Sequence, residues 1–198
     1  MEIITNNEHY ILVLDKINDI TFYQNYLPEN ILLQAQSNFK SQQRQCEWLH
    51  THFLIYKITG KYQSYSLNQW HKPYCNETKH LISISHTEHY ITLMLMYRGR
   101  GGVDMEETNR LFIKTSLKFV HSNEKKWANE NNDFRKIWCF KEAAYKLITN
   151  ASPDFKTHYI CSLNNNNANV IYLPSCNHIK MEYIENENYF LTWCFEKE

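Results

Sequence analysis

Apolar and polar positions run in blocks along this chain, and the period within each block assigns most of its elements. Residues 9–15, HYILVLD, form a short apolar run with polar flanks and predict a first strand. From about Phe39 to Ile58 the period changes: Cys46, Leu49, Phe53 and Tyr56 recur on one face at helical spacing, and Gly60 sits where a helix C-cap belongs. Tyr62 to Trp70 holds a short strand and Pro73 marks a turn. Three strands follow, LISIS at 81–85, YITLMLM at 90–96 and GVDME at 102–106. The polar break HTEH between the first two predicts a hairpin. The break from Arg98 to Gly102 holds Gly99, Gly101 and Gly102, three of the chain's four glycines, so backbone freedom is expected there. Helices are expected from Leu111 to Phe119, from near Ser122, and from Asp133 to Ile148, with Asp133 as N-cap and Pro153 beyond the end. Strand patterns near 157–162, 169–173, 179–184 and 189–195 close the chain, and Asn164 to Asn167 reads as a loop. Each half carries strands, helices, then strands. The expected fold class is α+β, with two related α/β halves, 1–100 and 101–198, and the active site between them.

Composition narrows the partners. The chain has 198 residues, 43% hydrophobic and 21% charged, as a globular soluble protein has. Its 21 basic and 21 acidic residues cancel, so no global field draws it to nucleic acid or to an anionic membrane. Any anion must be held by a local cluster. The six cysteines include no CxxC pair, which argues against a zinc ribbon or a thioredoxin-like motif. No basic-then-apolar leader precedes HYILVLD, and no apolar run approaches the ~18 residues of a membrane span. The expected setting is a reducing cytoplasm with the cysteines as free, mostly buried thiols.

Candidate chemistry begins with Asp104 and Glu106. Two apart on a strand, they project to one face, while Val103 and Met105 turn to the other and to the core. Two such carboxylates repel unless a cation lies between them, and oxygen-only donors suit Mg²⁺ beside substrate phosphates. A D-x-E alone is more often a solvated strand end. Glu142 strengthens the signal: Trp138, Glu142 and Lys146 are four apart and stack on one helix face. Glu before Lys at that spacing is also an ordinary surface pair, but a Trp in the same row points to a cleft or core edge.

With those residues in view, the chain resembles the 4′-phosphopantetheinyl transferase superfamily. GVDME at 102–106 is similar to its motif G-V/I-D-x-E, and WCFKEAAYK at 138–146 to W-x-x-K-E-A/S-x-x-K. FVHSNE at 119–124 resembles F-S/A-x-x-E, HKPY at 71–74 resembles G-K-P-Y, ISISHT at 82–87 resembles N-I/L-S-H-S, and RQCEWLHTH at 44–52 resembles R-x-x-E-W-L-x-x-R. Six motifs in order over residues 44–146 are specific where each alone is weak. The length resembles the surfactin-synthetase-activating type, which fuses two halves and implies a monomer.

The resemblance implies roles. Asp104, Glu106 and Glu142 become the Mg²⁺ ligands, and Lys146 the catalytic lysine beside the leaving phosphate. Glu142 or Glu124 takes the proton of the attacking serine of an apo acyl or peptidyl carrier protein. Lys141 matches a motif position but lies about 100° round the helix from Glu142, toward substrate or solvent. Arg44, Lys72, Ser85 and His86 hold the phosphates of coenzyme A, Arg44 by a bidentate grip. His71 stands where the family often has Gly, His52 where it has Arg, and Thr87 where it has Ser; no glycine follows Lys146. The pairs His86/His89 and His50/His52 lack partners at zinc-site spacing. Two other readings compete: a catalytically silent module that binds coenzyme A or a carrier protein, and an unrelated Mg²⁺ phosphohydrolase.

Overall fold

The computed structural model describes residues 1–164 and 167–197. Two compact units divide the chain, Met1–Arg98 and Gly99–Glu198. The described residues contain helices and strands in two sheets, hence α+β. No helix among them is long and apolar enough to cross a membrane.

The first unit is a six-stranded antiparallel sheet in the order β1-β2-β6-β5-β4-β3. These strands are β1 (Glu2–Asn6), β2 (Tyr10–Lys16), β3 (Tyr65–Leu67), β4 (Pro73–Cys75), β5 (Leu81–His86) and β6 (Tyr90–Met96). The β5–β6 hairpin closes as its polar break predicts, with the Thr87 N–H donating to the Tyr90 carbonyl. Strand β1 and two helices between β2 and Ser41, α1 (Ile20–Gln24) and α2 (Glu29–Asn38), were not expected. Their signals are local: Asp19 caps α1 by accepting from the Phe22 N–H, Pro28 precedes α2, and only Ile31 and Ala35 of α2 are buried. Pro73 starts β4 rather than a turn. It sits at the first strand position, where a missing N–H is tolerated. The turn lies just before it, where His71 adopts φ 57° and its N–H donates to the Asn68 carbonyl.

Helix α3 (Gln42–Thr59) begins three residues later than its apolar period suggests and ends on Gly60 at φ 69°. Leu49 and Phe53 meet Val13, Ile82, Leu93 and Leu95 in the core, each large side chain contributing ~1.5–3 kcal/mol. Tyr56 stays half-buried and stacks on Tyr62 at 4.2 Å.

The second unit is a five-stranded antiparallel sheet in the order β7-β11-β10-β9-β8. It comprises β7 (Arg100–Glu107), β8 (Tyr159–Asn164), β9 (Asn167–Tyr172), β10 (Asn177–Glu185) and β11 (Tyr189–Glu196). Helix α4 (Asn131–Leu147) packs on it, with Phe140, Ala143 and Ala144 against Val170, Met181, Phe190 and Cys194. A short α5 (Phe155–His158) precedes β8. Of the expected Asn loop, Asn164 and Asn167 pair at the strand ends, and Asn165 and Asn166 lie outside the described residues.

Three expectations fail in this unit. Gly101 and Gly102 belong to β7 rather than to a flexible break, and only Gly99 takes a left-handed φ, 72°. At Gly102 a Cβ would lie 1.9 Å from the Ala143 carbonyl oxygen, so the glycine permits the close approach of α4. No α-helix spans Leu111–Phe119 or starts at Ser122; single 3-10 turns stand at Ser116–Lys118 and Glu124–Lys126. The Thr115 and Ser116 hydroxyls donate to the Phe112 and Ile113 carbonyls and compete with helical bonding there. Asp133 is not the N-cap of α4. Glu130 is, and Asp133 answers it from the third helical position in a reciprocal capping box.

Candidate active site

Strand alternation puts Gly102, Asp104 and Glu106 of β7 on the face that meets α4, and α4 presents Trp138, Glu142 and Lys146 in one row. Contacts join the two sets. The Lys146 ammonium donates to Asp104 Oδ1 at 2.7 Å and to the Val103 carbonyl at 2.9 Å. The Trp138 indole N–H donates to Glu106 Oε1 at 3.1 Å, and the Arg110 guanidinium donates to the same oxygen in a short ion pair. Arg110 also lies over the Phe112 ring, 4.9 Å from its centroid. Asp104 and Glu106 are only 5% and 6% exposed, and Val103 and Met105 are buried on the opposite face of the strand.

These carboxylates feel each other. Burial raises the Glu106 carboxyl above its ordinary value, the Asp104 charge raises it further, and Arg110 and Trp138 oppose the shift. Glu142 is pushed up to about 7, first by burial and then by Asp104, with Lys146 opposing and Glu106 adding to the shift. The Cys139 thiol is also raised, by burial, by the charges of Asp104 and Glu106, and by a hydrogen bond to Asp104. Asp104, Glu106 and Glu142 are thus electrostatic neighbours although Glu142 comes from a distant element.

Among the described residues, no three His, Cys, Asp or Glu side chains stand as a ready-made ligand set for a metal. The chemistry of the donors nevertheless fits a hard divalent cation: oxygen only, largely buried, and mutually repelling. Lys146 and Arg110 meanwhile neutralise Asp104 and Glu106.

Glu124 is placed apart from that group. It is 0% exposed and ion-paired at 2.8 Å to Lys141, itself 0% exposed. Its carboxylate also accepts from the His121 and Cys161 N–H groups, and Lys141 further donates to the Phe119 and Phe155 carbonyls. Lys141 therefore faces neither substrate nor solvent. The pair ties the 119–124 segment and the start of β8 to α4.

In the first unit, Arg44 on α3 and His86 at the end of β5 meet. Arg44 Nη1 lies 3.2 Å from His86 Nε2 and donates to Glu47 Oε2 at 3.0 Å, while His86 Nδ1 is 3.5 Å from Glu47 Oε1. Ser85 is buried opposite Thr92, and Lys72 stands on the β3–β4 turn, its N–H donating to Asn68 Oδ1. His52 is a packing residue: it lies 4.0 Å from Trp48 and 5.1 Å from Tyr65, and burial drives its pKa down to about 4. His71 holds a positive φ at the position where the resembling family often has Gly, so the backbone keeps the glycine-like turn. His50 is buried between Tyr23 and Asp15.

Sequence reasoning missed Arg110, Cys139 and the pairing role of Glu47. Arg110 follows Glu106 by four, but across a strand end no helical period relates them. Cys139 follows Trp138, off the functional row.

Residues 101–195, from β7 to β11, match the family model of the 4′-phosphopantetheinyl transferase superfamily. The match includes α4 and all the carboxylates of the site, and marks this stretch as a transferase domain of that superfamily. No curated protein matches the chain.

Proposed function

Starting from that superfamily domain, we propose that the protein is a Mg²⁺-dependent transferase that moves 4′-phosphopantetheine from coenzyme A to a serine of an apo acyl or peptidyl carrier protein. The observation that carries the reading is the meeting of Asp104, Glu106 and Lys146, with Glu142 as electrostatic neighbour, within the matched segment. An unrelated phosphohydrolase would owe nothing to that match. A silent binding module would have no need of all four residues.

In the proposed reaction the serine hydroxyl oxygen attacks the β-phosphorus of coenzyme A. A new P–O bond forms, and the bond to adenosine 3′,5′-bisphosphate breaks. Asp104, Glu106 and Glu142 would hold Mg²⁺, which when bound neutralises and orients pyrophosphate oxygens. Lys146, already fixed by Asp104 and the Val103 carbonyl, supplies a positioned positive charge for the leaving phosphate. Glu142 is the better acceptor for the serine proton, because the Glu124 carboxylate is sealed against Lys141 and two backbone N–H groups. Arg44 and His86 standing together support their assignment as an anion grip for coenzyme A phosphates, with Lys72 and Ser85.

Mass spectrometry of apo carrier proteins incubated with this protein, coenzyme A and Mg²⁺ tests the proposal. One added phosphopantetheine per carrier, absent with Glu142→Gln, is expected. Release of phosphopantetheine without any modified carrier would replace the transferase by a hydrolase.

A further inference from the structure

We infer that Arg110 gates metal access to the carboxylate site by competing with a divalent cation for Glu106. The inference rests on the reading of Asp104, Glu106 and Glu142 as metal ligands.

Two donors converge on one oxygen, Glu106 Oε1, and they differ in freedom. Trp138 sits in the middle of α4, with its ring against Phe112, Phe119 and Phe155. It is fixed by packing and orients the carboxylate. Arg110 lies beyond the end of β7, on a turn closed by its own N–H donating to the Glu107 carbonyl. Its side chain is 53% exposed. It therefore has open water to swing into, where Trp138 does not. The Phe112 ring beneath the guanidinium gives the inward position a cation–π rest.

Charge sets the two occupants of Glu106 against each other. A guanidinium and a divalent cation on the same carboxylate repel each other, so each weakens the other's hold. The same residue offsets the burial of Glu106 beside the Asp104 charge. Because the pair is half-exposed, its strength is modest. Arg110 should thus weaken metal binding by a tunable factor without blocking it.

Mn²⁺ binding to the full chain without coenzyme A, followed by loss of the free-ion electron paramagnetic resonance signal, reads this directly. Arg110→Gln should bind Mn²⁺ roughly threefold to tenfold more tightly than wild type. Arg110→Lys should fall between the two. Lys118→Gln, an equal loss of charge at an exposed position of the same segment, should stay within about twofold. Asp104→Asn should lose most of the binding. Unchanged or weaker binding by Arg110→Gln, with Asp104→Asn still defective, overturns the gate alone. If Asp104→Asn and Glu142→Gln bind Mn²⁺ like wild type, or no variant binds it, the metal reading itself falls.

Discussion

Lys141→Met separates two meanings of the motif WCFKEAAYK. In the folded protein the Lys141 ammonium donates to Glu124 Oε2 at 2.8 Å, to the Phe119 carbonyl at 2.8 Å and to the Phe155 carbonyl at 2.9 Å. Both charged groups are 0% exposed. Methionine keeps the length and removes the charge, so Glu124 is left as a buried anion served, among the described residues, by the His121 and Cys161 N–H groups. Breaking a buried pair from one side costs about 3–5 kcal/mol, and the two carbonyls add part of a hydrogen bond each. We expect a total loss of about 4 kcal/mol, a large share of a domain's stability and a drop in Tm of roughly 15 °C or more for a unit this size. Urea unfolding followed by tryptophan fluorescence measures it. Adding Glu124→Gln to Lys141→Met should recover part of the loss, because Gln carries no charge and its one carbonyl oxygen still accepts from one of the two N–H groups. Turnover per folded molecule should fall far less than it does for Lys146→Ala. If Lys141→Met keeps wild-type stability but loses turnover a hundredfold, Lys141 acts on substrate and the structural role assigned here is wrong.

The remaining predictions are shorter. Lys146→Ala should lower kcat by roughly a hundredfold or more with little change in the KM for coenzyme A, as loss of a charge that acts on the transition state does; unchanged kcat with a raised KM would make Lys146 a binding residue. Gly102→Ala should destabilise the protein by about 3 kcal/mol and displace α4, because its Cβ would meet the Ala143 carbonyl at 1.9 Å; a thermal melt at the wild-type temperature would refute that close approach. His52, at about 4 when folded and near 6.5 when unfolded, binds fewer protons in the folded state between those values. Its contribution is therefore complete above pH 6.5 and lost as pH falls toward 4, by about 3 kcal/mol at most. Unfolding free energies of His52→Phe should slope less with pH over that window, and parallel wild-type and mutant profiles would count against the buried neutral imidazole.

Elements with long, regular patterns were legible: α3, α4, β5, β6 and the strands of the tail lie within a few residues of their apolar periods. Short elements were not, because α1, α2 and β1 carry too few buried positions to impose a period. The segment from Leu111 to Phe119 misled for a physical reason. It buries Phe112, Ser116 and Phe119, a helix-like set, yet its hydroxyls take the carbonyls and it settles into turns. Gly102 was read as freedom, whereas its lack of a Cβ is what β7 and α4 require. In the site, the face shared by Asp104 and Glu106 followed from strand alternation. Their partners did not, since Arg110 reaches Glu106 across a turn at the strand end and Cys139 reaches Asp104 through the packing of α4 on β7.

The helix itself shows why one short motif carries two lysines. Lys141 and Lys146 are five residues apart, about 140° round α4. One therefore turns into the core against Glu124 while the other, in the row of Trp138 and Glu142, meets β7. A site of mutually repelling carboxylates needs its cations held to within a fraction of an ångström, and a solvated lysine alone cannot supply that order. The buried pair fixes the helix by tying it to the 119–124 segment and to Cys161 on β8. Trp138 fixes the entrance of the row by bonding Glu106 and packing on Phe119 and Phe155. Phe119 and Phe155 are also the residues whose carbonyls Lys141 holds. The anchor and the row thus share two neighbours. A change at Lys141 should therefore reach Glu106 through Trp138 before it reaches Lys146, a path that Trp138 fluorescence in Lys141→Met would register ahead of any loss at the lysine end.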